Sequence, residues 1–150
     1  MVKQLIPKHI IITDDDEDDR MLFAEALEEI ELPVVVTEAS NGTELMDILH
    51  KEPVPVPEVV FLDLNMPVKD GFECLQEIRK EKGDIKDLNI VVLSTSSNKA
   101  TIDKCFELGA SYYGVKPHSF GKLKELLSSV LAMDWNTYEK PDRAHFVLEA

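Results

Sequence analysis

Short apolar runs alternate along this chain with amphipathic stretches, and this alternation restricts its fold more than any other feature. The runs are continuous and rich in β-branched residues, which is typical of strands covered on both faces. The stretches between them carry apolar residues at helical spacing. We predict strands at residues 9–13, 34–38, 59–62, 89–93 and 112–115. We predict helices at residues 18–30, 42–49, 71–82, 99–108 and 120–133.

Five strand-then-helix units predict an α/β fold, a doubly wound parallel sheet with helices on both faces. Prolines alternate with valines at residues 53–57, and this segment predicts an extended connector before the third strand. A sheet of this kind places its working site at the carboxyl ends of its strands. The residues that follow each strand are therefore the first candidates for function.

Composition excludes several classes of protein. The 150 residues fit a single domain, and 29 acidic against 16 basic residues leave a net charge of −13. Such a charge disfavours binding to nucleic acid or to an anionic membrane. No apolar run reaches the roughly 20 residues that a membrane span needs. Cys74 and Cys105 lie far apart and suit buried positions in a reducing compartment, so we expect a cytoplasmic protein.

Polar residues follow four of the five predicted strands. They are Asp14 and Asp15 after the first strand, Asp63 after the third, Ser94 and Thr95 at the fourth, and Lys116 and Pro117 after the fifth. A lysine followed by proline is unusual for packing, since proline stops the strand and permits a cis peptide bond. The neighbouring acids Asp18 and Asp19 are explained by the positive end of a helix dipole.

Three of these side chains predict a metal site. Asp14, Asp15 and Asp63 would converge from two neighbouring strand ends, and a few hard oxygen donors suit Mg²⁺. A carboxylate that can attack, with a metal ion and Lys116 to screen charge, is typical of phosphoryl transfer. The ordered set of strand ends, rather than any single residue, supports this interpretation.

With these residues in place, the chain resembles the receiver domains of two-component response regulators. The resemblance covers residues 8–131 and includes the acceptor motif VVFLDLNMPVKDGFE, in which Gly71 is a structural position, together with VVLSTSS and the Lys–Pro pair after GASYYGV. It implies a flavodoxin-like sheet of five parallel strands in the order 2-1-3-4-5 with five helices.

The resemblance also implies a role for each site residue. Asp63 would accept a phosphoryl group from a sensor histidine kinase or a phosphotransfer protein. Asp15, Asp63 and the backbone carbonyl of Asn65 would hold Mg²⁺, or Mn²⁺ as an alternative, and Asp14 would act through water. Lys116 and Ser94 would contact the phosphoryl group, Thr95 would be a minor candidate for that contact, and Tyr113 would be the switch aromatic. Such a domain catalyses only its own phosphorylation and slow dephosphorylation, so it is not a turnover enzyme.

The C-terminal residues predict no output domain. We expect a receiver at residues 1–133 and an extension at 134–150, too short for a separate domain. Trp135 either anchors an interface or caps the last helix, and both alternatives stay open. The extension and the long connector resemble single-domain regulators paired with phytochrome-type kinases, so a homodimer is a hypothesis. The downstream protein target is not identifiable from the sequence.

Two other classes of function share part of this sequence pattern. A Mg²⁺-dependent phosphohydrolase with an Asp nucleophile generally has an acid two residues later, but this chain has Asn65 there. A flavodoxin-like binding module needs a Ser/Gly-rich phosphate loop after the first strand, where this chain has a run of acids. Only a phosphoacceptor signalling domain accounts for all four strand ends.

Overall fold

The computed structural model describes residues 7–51 and 56–148, so part of the proline-rich connector lies outside the described residues. Its sheet strands are β1 Lys8–Thr13, β2 Val34–Ala39, β3 Val59–Leu62, β4 Ile90–Ser94, β5 Tyr112–Val115 and β6 Val147–Leu148. Its α-helices are α1 Glu17–Glu29, α2 Gly42–His50, α3 Gly71–Lys80, α4 Lys99–Glu107 and α5 Phe120–Ala132. Short 3₁₀ segments lie at Gly83–Asp87, Trp135–Thr137 and Arg143–His145. Each strand and helix predicted from the sequence is present, with ends within two residues of the prediction.

The strands form one parallel sheet in the order β2-β1-β3-β4-β5-β6. Thr13 is paired with Leu62, so β1 and β3 end at the same level. The backbone N–H of Asp63 donates to the carbonyl of Thr13 at 3.0 Å and extends this pairing by one residue. The register therefore brings the residues after β1 and β3 to one place at the carboxyl edge.

The sixth strand corrects the expected five. Val147 pairs with Tyr113 and Leu148 with Gly114, so part of the C-terminal extension joins the sheet beside β5. A strand of two residues carries no periodicity that a sequence pattern could reveal. Its position depends on neighbouring tertiary contacts, chiefly the fully buried Phe146.

Two hydrophobic layers cover the sheet. One face packs against α1 and α5 through residues such as Phe23, Phe61 and Leu126. The other packs against α2, α3 and α4, and both cysteines lie there as free, buried thiols. Burial raises the pKa of Cys74 to about 11 and that of Cys105 to about 12, so both thiols stay protonated and unreactive. None of the described helices is both long and apolar enough to span a bilayer.

The C-terminal extension packs on both layers. Trp135 is buried in the α1/α5 layer, where its indole N–H donates to the Val130 carbonyl at 3.0 Å. Of the two alternatives for Trp135, the described contacts fit a cap on the last helix. Phe146 lies in the opposite layer, edge-to-face with Phe106 at a centroid distance of 5.1 Å. The extension therefore passes around the β5 edge of the sheet from one face to the other.

Candidate functional site

Three carboxylates meet at the carboxyl edge of the sheet. Asp14, Asp15 and Asp63 each offer an oxygen, and these oxygens lie within 4.8 Å of one another. Asp14 and Asp63 are buried, at 4% and 7% exposure, whereas Asp15 is exposed. The strand ends thus bring together the acids that the sequence predicted.

The acidic run after β1 is divided between the site and the start of α1. Asp16 is the N-cap of α1, and its side chain accepts hydrogen bonds from the backbone N–H groups of Asp18 and Asp19. Asp14 in turn accepts a hydrogen bond from the N–H of Asp16 at 2.9 Å. These bonds fix the turn that aims Asp14 into the site.

Lys116 is the cation at this cluster. Its ammonium group lies 2.8 Å from the Oδ2 atom of Asp14, 3.1 Å from that of Asp19 and 3.5 Å from that of Asp63. Its backbone N–H donates to the Ser94 carbonyl at 2.8 Å, so the end of β4 positions it. The ammonium group is shared among acids from two strand ends and one helix.

Asp19 is the residue that the sequence reasoning missed at this site. It lies in the first turn of α1, as the dipole argument expected, but its carboxylate also contacts Lys116. Helical side chains point toward the helix N-terminus. An acid in the first turn of a helix that begins beside a site can therefore reach back to that site, and this was the available signal.

Burial and charge both perturb the acids. Burial raises the pKa of Asp63 from 3.8 to about 6; Lys116 lowers this pKa and Asp14 raises it. Burial alone would lower the pKa of Lys116, but the hydrogen bond to Asp14 and the charges of Asp63 and Asp14 raise it overall. The single ammonium group does not fully compensate the clustered negative charge, which a divalent cation would offset.

The loop after β3 passes close to Asp63. A Cβ atom on Gly71 would lie 2.4 Å from the Asp63 carbonyl oxygen, so the start of α3 approaches the site only with glycine at this position. The backbone of Asn65 donates a hydrogen bond to the Asp63 carboxylate, while its side chain points to solvent. Both neighbours hold the Asp63 loop in a defined geometry.

The hydroxyl residues at the end of β4 connect the site with β5. Ser94 is fully buried, and its hydroxyl accepts a hydrogen bond from the Ser96 N–H at 3.2 Å. The fully buried Tyr113 donates its phenolic hydrogen to the Ser96 carbonyl at 2.6 Å. Thr95 is exposed and lines the cavity beside the acids.

A cavity of about 180 Å³ opens beside the carboxylates, between the ends of the strands and helices α1 and α5. Pro117 and His118 line it. The hydroxyl of Thr13, also in its wall, is buried and has no hydrogen-bond partner among the described residues. The cavity gives a small group access to Asp63.

The donor set fits a small divalent cation. Carboxylate oxygens are the ligands that Mg²⁺ and Mn²⁺ prefer, and Asp15 leaves the cluster open to solvent on one side. The fold and the site together define a doubly wound α/β protein with a cation-binding carboxylate pocket and a lysine at the carboxyl edge of its sheet.

The family model of the response regulator receiver domain matches residues 10–128. The chain belongs to this family. This agrees with the resemblance that the sequence motifs carried.

Two curated relatives illustrate the match. A probable transcriptional regulator ycf27 of Guillardia theta is 36% identical over 122 residues, which cover 81% of this chain and 44% of the relative. Response regulator Rcp1 of Synechocystis sp. is 31% identical over 128 residues, covering 83% of this chain and 86% of the relative. The chain thus spans less than half the length of the first relative and most of the second.

Solved structures agree with the fold. The Mn²⁺-bound form of Rcp1 has a TM-score of 0.75 and 29% identity, over 90% of this chain and 99% of that one. The phosphorylated cyanobacterial phytochrome response regulator RcpA has a TM-score of 0.78 and 30% identity, over 89% of this chain and 97% of that one.

Proposed function

We propose that this chain accepts a phosphoryl group on Asp63 from a histidine kinase or a phosphotransfer protein. It then signals through a conformational change and protein contact. The observation that carries the proposal is the placement of Asp63: a buried carboxylate at a strand end, within a cation-binding cluster and 3.5 Å from the Lys116 ammonium group.

The transfer step follows from this geometry. An oxygen of the ionised Asp63 attacks phosphorus, a carboxylate–phosphorus bond forms, and the bond to the donor histidine nitrogen breaks. Mg²⁺ or Mn²⁺, held by Asp15, Asp63 and the Asn65 carbonyl with Asp14 acting through water, would supply positive charge for the phosphoryl oxygens. Lys116 contributes a second positive charge, 3.5 Å from the Asp63 carboxylate.

The signal leaves the site through Ser94 and Tyr113. A phosphoryl group adds about two negative charges and strong hydrogen-bond acceptors. Ser94 supplies the nearest buried hydroxyl from β4, and Thr95 is a minor alternative at the rim. Tyr113 donates a hydrogen bond to the carbonyl of Ser96, in the loop that follows β4. A shift of that loop would therefore alter the surface around β4, α4 and β5.

The wider assignments are part of this proposal. Residues 1–133 act as the receiver and residues 134–150 as its extension, in a cytoplasmic protein. The similarity to RcpA, a phytochrome response regulator, supports a phytochrome-type kinase as partner. A homodimer is proposed from the resemblance to single-domain regulators paired with phytochrome-type kinases, and sedimentation with and without an acyl-phosphate mimic tests it; a monomer in both states would exclude it.

A phosphohydrolase remains the alternative that shares this chemistry. Its general acid/base would stand two residues after the nucleophile, where the chain has Asn65, which cannot transfer the proton. We therefore expect a modified protein that persists long enough to signal, rather than repeated turnover of a free substrate.

Intact-mass spectrometry tests the proposal. The protein is incubated with Mg²⁺ and acetyl phosphate or phosphoramidate, and a gain of one phosphoryl group is expected. The gain should disappear in EDTA and in Asp63→Asn, while Asp84→Asn, an exposed acid far along the chain, should be labelled normally. Unmodified wild-type mass, or equal labelling of Asp63→Asn, would overturn the proposal.

A further inference from the structure

We propose that Asp19 is a positioning residue for the phosphoryl-transfer reaction. Its carboxylate holds the Lys116 ammonium group on the α1 side of the pocket and thereby limits how strongly Lys116 stabilises a phosphoryl group on Asp63. This inference rests on the proposed function and assigns a role to a residue outside the metal cluster.

The distances around Lys116 carry the first step. Its ammonium group is closer to Asp14 and Asp19, at 2.8 and 3.1 Å, than to Asp63, at 3.5 Å. The Lys116 side chain is only 20% exposed, so water competes weakly for its three donors. The two acids on the α1 side therefore draw the ammonium group away from the acceptor carboxylate.

The second step separates Asp19 from Asp14. Asp14 belongs to the carboxylate cluster that fits a divalent cation, and Asp19 does not. A cation held by that cluster would compete with Lys116 for the oxygens of Asp14 and Asp63. Asp19 is then the acid whose pairing with Lys116 is least disturbed by the metal.

The third step concerns why Asp19 stays in place. The first turn of α1 is fixed by the Asp16 cap, which accepts from the backbone N–H of Asp19 itself. The side chain of a first-turn residue points back toward the carboxyl edge of the sheet. The Asp19 side chain is 42% exposed, so its ion pair is weak enough to yield when a phosphoryl group arrives.

Asp18 offers a matched control for the test. It is adjacent in sequence, exposed, in the same helical turn, and has no described contact with Lys116. Asp18→Asn and Asp19→Asn remove the same charge from almost the same place. The difference in behaviour between the two variants therefore measures the effect of the contact with Lys116, separately from the general repulsion between the acidic residues and an anionic phosphoryl donor.

The experiment measures two quantities at saturating Mg²⁺: the rate of labelling by acetyl phosphate and the lifetime of the aspartyl phosphate. Relative to Asp18→Asn, we expect Asp19→Asn to be labelled about three- to fivefold faster, the scale of a partly exposed ion pair, and to keep the group longer. Asp19→Glu, which retains a carboxylate, should return both quantities toward the wild-type values. Melting curves of the variants verify that each is folded.

The outcomes distinguish this inference from the proposed function. If wild type and Asp18→Asn are labelled and Asp19→Asn matches Asp18→Asn, or is slower, the role of Asp19 is overturned while the proposed function stands. Failure of Asp19→Glu to restore the wild-type values would also overturn it. If wild type is not labelled at all, the proposed function and this inference fall together.

Discussion

At the scale of single residues, the site is defined by an imbalance of charge. Among residues 7–51 and 56–148, Lys116 is the one basic side chain that pairs with the carboxylates of Asp14 or Asp63. One positive charge faces three clustered acids, two of which are buried. Burial is the main cause of the raised pKa of Asp63, and the charge of Asp14 adds to it; a bound cation or protonation relieves the cost of this buried carboxylate.

The first prediction concerns Asp63→Asn in the absence of divalent cations. Because the pKa of Asp63 rises from 3.8 to about 6 on folding, the native protein binds this proton more tightly than the unfolded chain. The free energy of unfolding therefore falls as pH rises through that interval, by roughly 2–3 kcal/mol in total. Asp63→Asn has no carboxylate to ionise at this position, so it should be more stable than wild type at neutral pH.

Urea unfolding in EDTA at about pH 4 and about pH 7 measures the effect. The stability gap between Asp63→Asn and wild type should be small at the lower pH and largest at the higher one. Asp18→Asn, which removes an exposed acid, should show no comparable trend. A gap that does not change with pH would contradict the assigned cause.

The second prediction concerns the buried hydroxyl of Thr13. It has no partner among the described residues, so Thr13→Val removes an unpaired polar atom with little change of shape. Unfolding free energy should stay equal or rise by up to about 1 kcal/mol. Thr37→Val is the matched control on the neighbouring strand: its hydroxyl bonds to His9 at 2.8 Å, and its loss should lower stability. A clear loss of unfolding free energy in Thr13→Val would contradict this prediction and show that ordered water hydrogen-bonds to the hydroxyl.

At the scale of elements, helix starts are marked by short polar caps. Each α-helix begins after a residue whose side chain accepts a backbone N–H: Asp16, Asn41, Asp70, Asn98 and Ser119. Such signals are local, and so are the apolar runs of the strands. For that reason the five strand–helix units and the residues at four strand ends could be predicted from sequence.

What sequence could not predict depends on contacts distant along the chain. The strand β6 lies next to Phe146, which packs against Tyr113 of β5, and nothing in its two residues indicates pairing. Asp19 reads as an ordinary helix-start acid until Lys116, 97 residues later, is placed beside it. Likewise, the left-handed backbone conformation of Val68 is visible in the structure and is not indicated by the sequence.

The third prediction concerns Val68, in the loop from β3 to α3. Its φ is 69° and it is 87% exposed, so a β-branched residue adopts a left-handed conformation without packing that would offset the cost. Asparagine tolerates this region, and Val68→Asn should raise unfolding free energy by about 1 kcal/mol. Val35→Asn, at an exposed valine in the extended backbone of β2, should bring no gain. Equal effects in chemical denaturation would show that strain at Val68 is not the cause.

At the scale of the whole molecule, the C-terminal extension ties the two layers together. Trp135 and Tyr138 pack edge-to-face against Tyr112 on one face, and Phe146 enters the core on the other. Arg143 adds an ion pair with Asp103 of α4 at 2.6 Å. We therefore expect the described part of the extension to unfold together with the receiver rather than as a separate tail.

The last prediction tests this cooperativity with Phe146→Ala. Phe146 is fully buried against Tyr113 and Phe106, and removal of a buried phenyl ring costs about 3–5 kcal/mol. If the extension and the sheet unfold together, far-ultraviolet circular dichroism should show a single unfolding transition, and its free energy of unfolding should be lower than that of wild type by that amount. Glu139→Ala, at an exposed residue of the same segment, should leave the midpoint nearly unchanged. An unshifted main transition, with hydrogen-exchange protection lost only in the C-terminal residues, would instead mean that the extension opens locally and contributes little to the stability of the receiver.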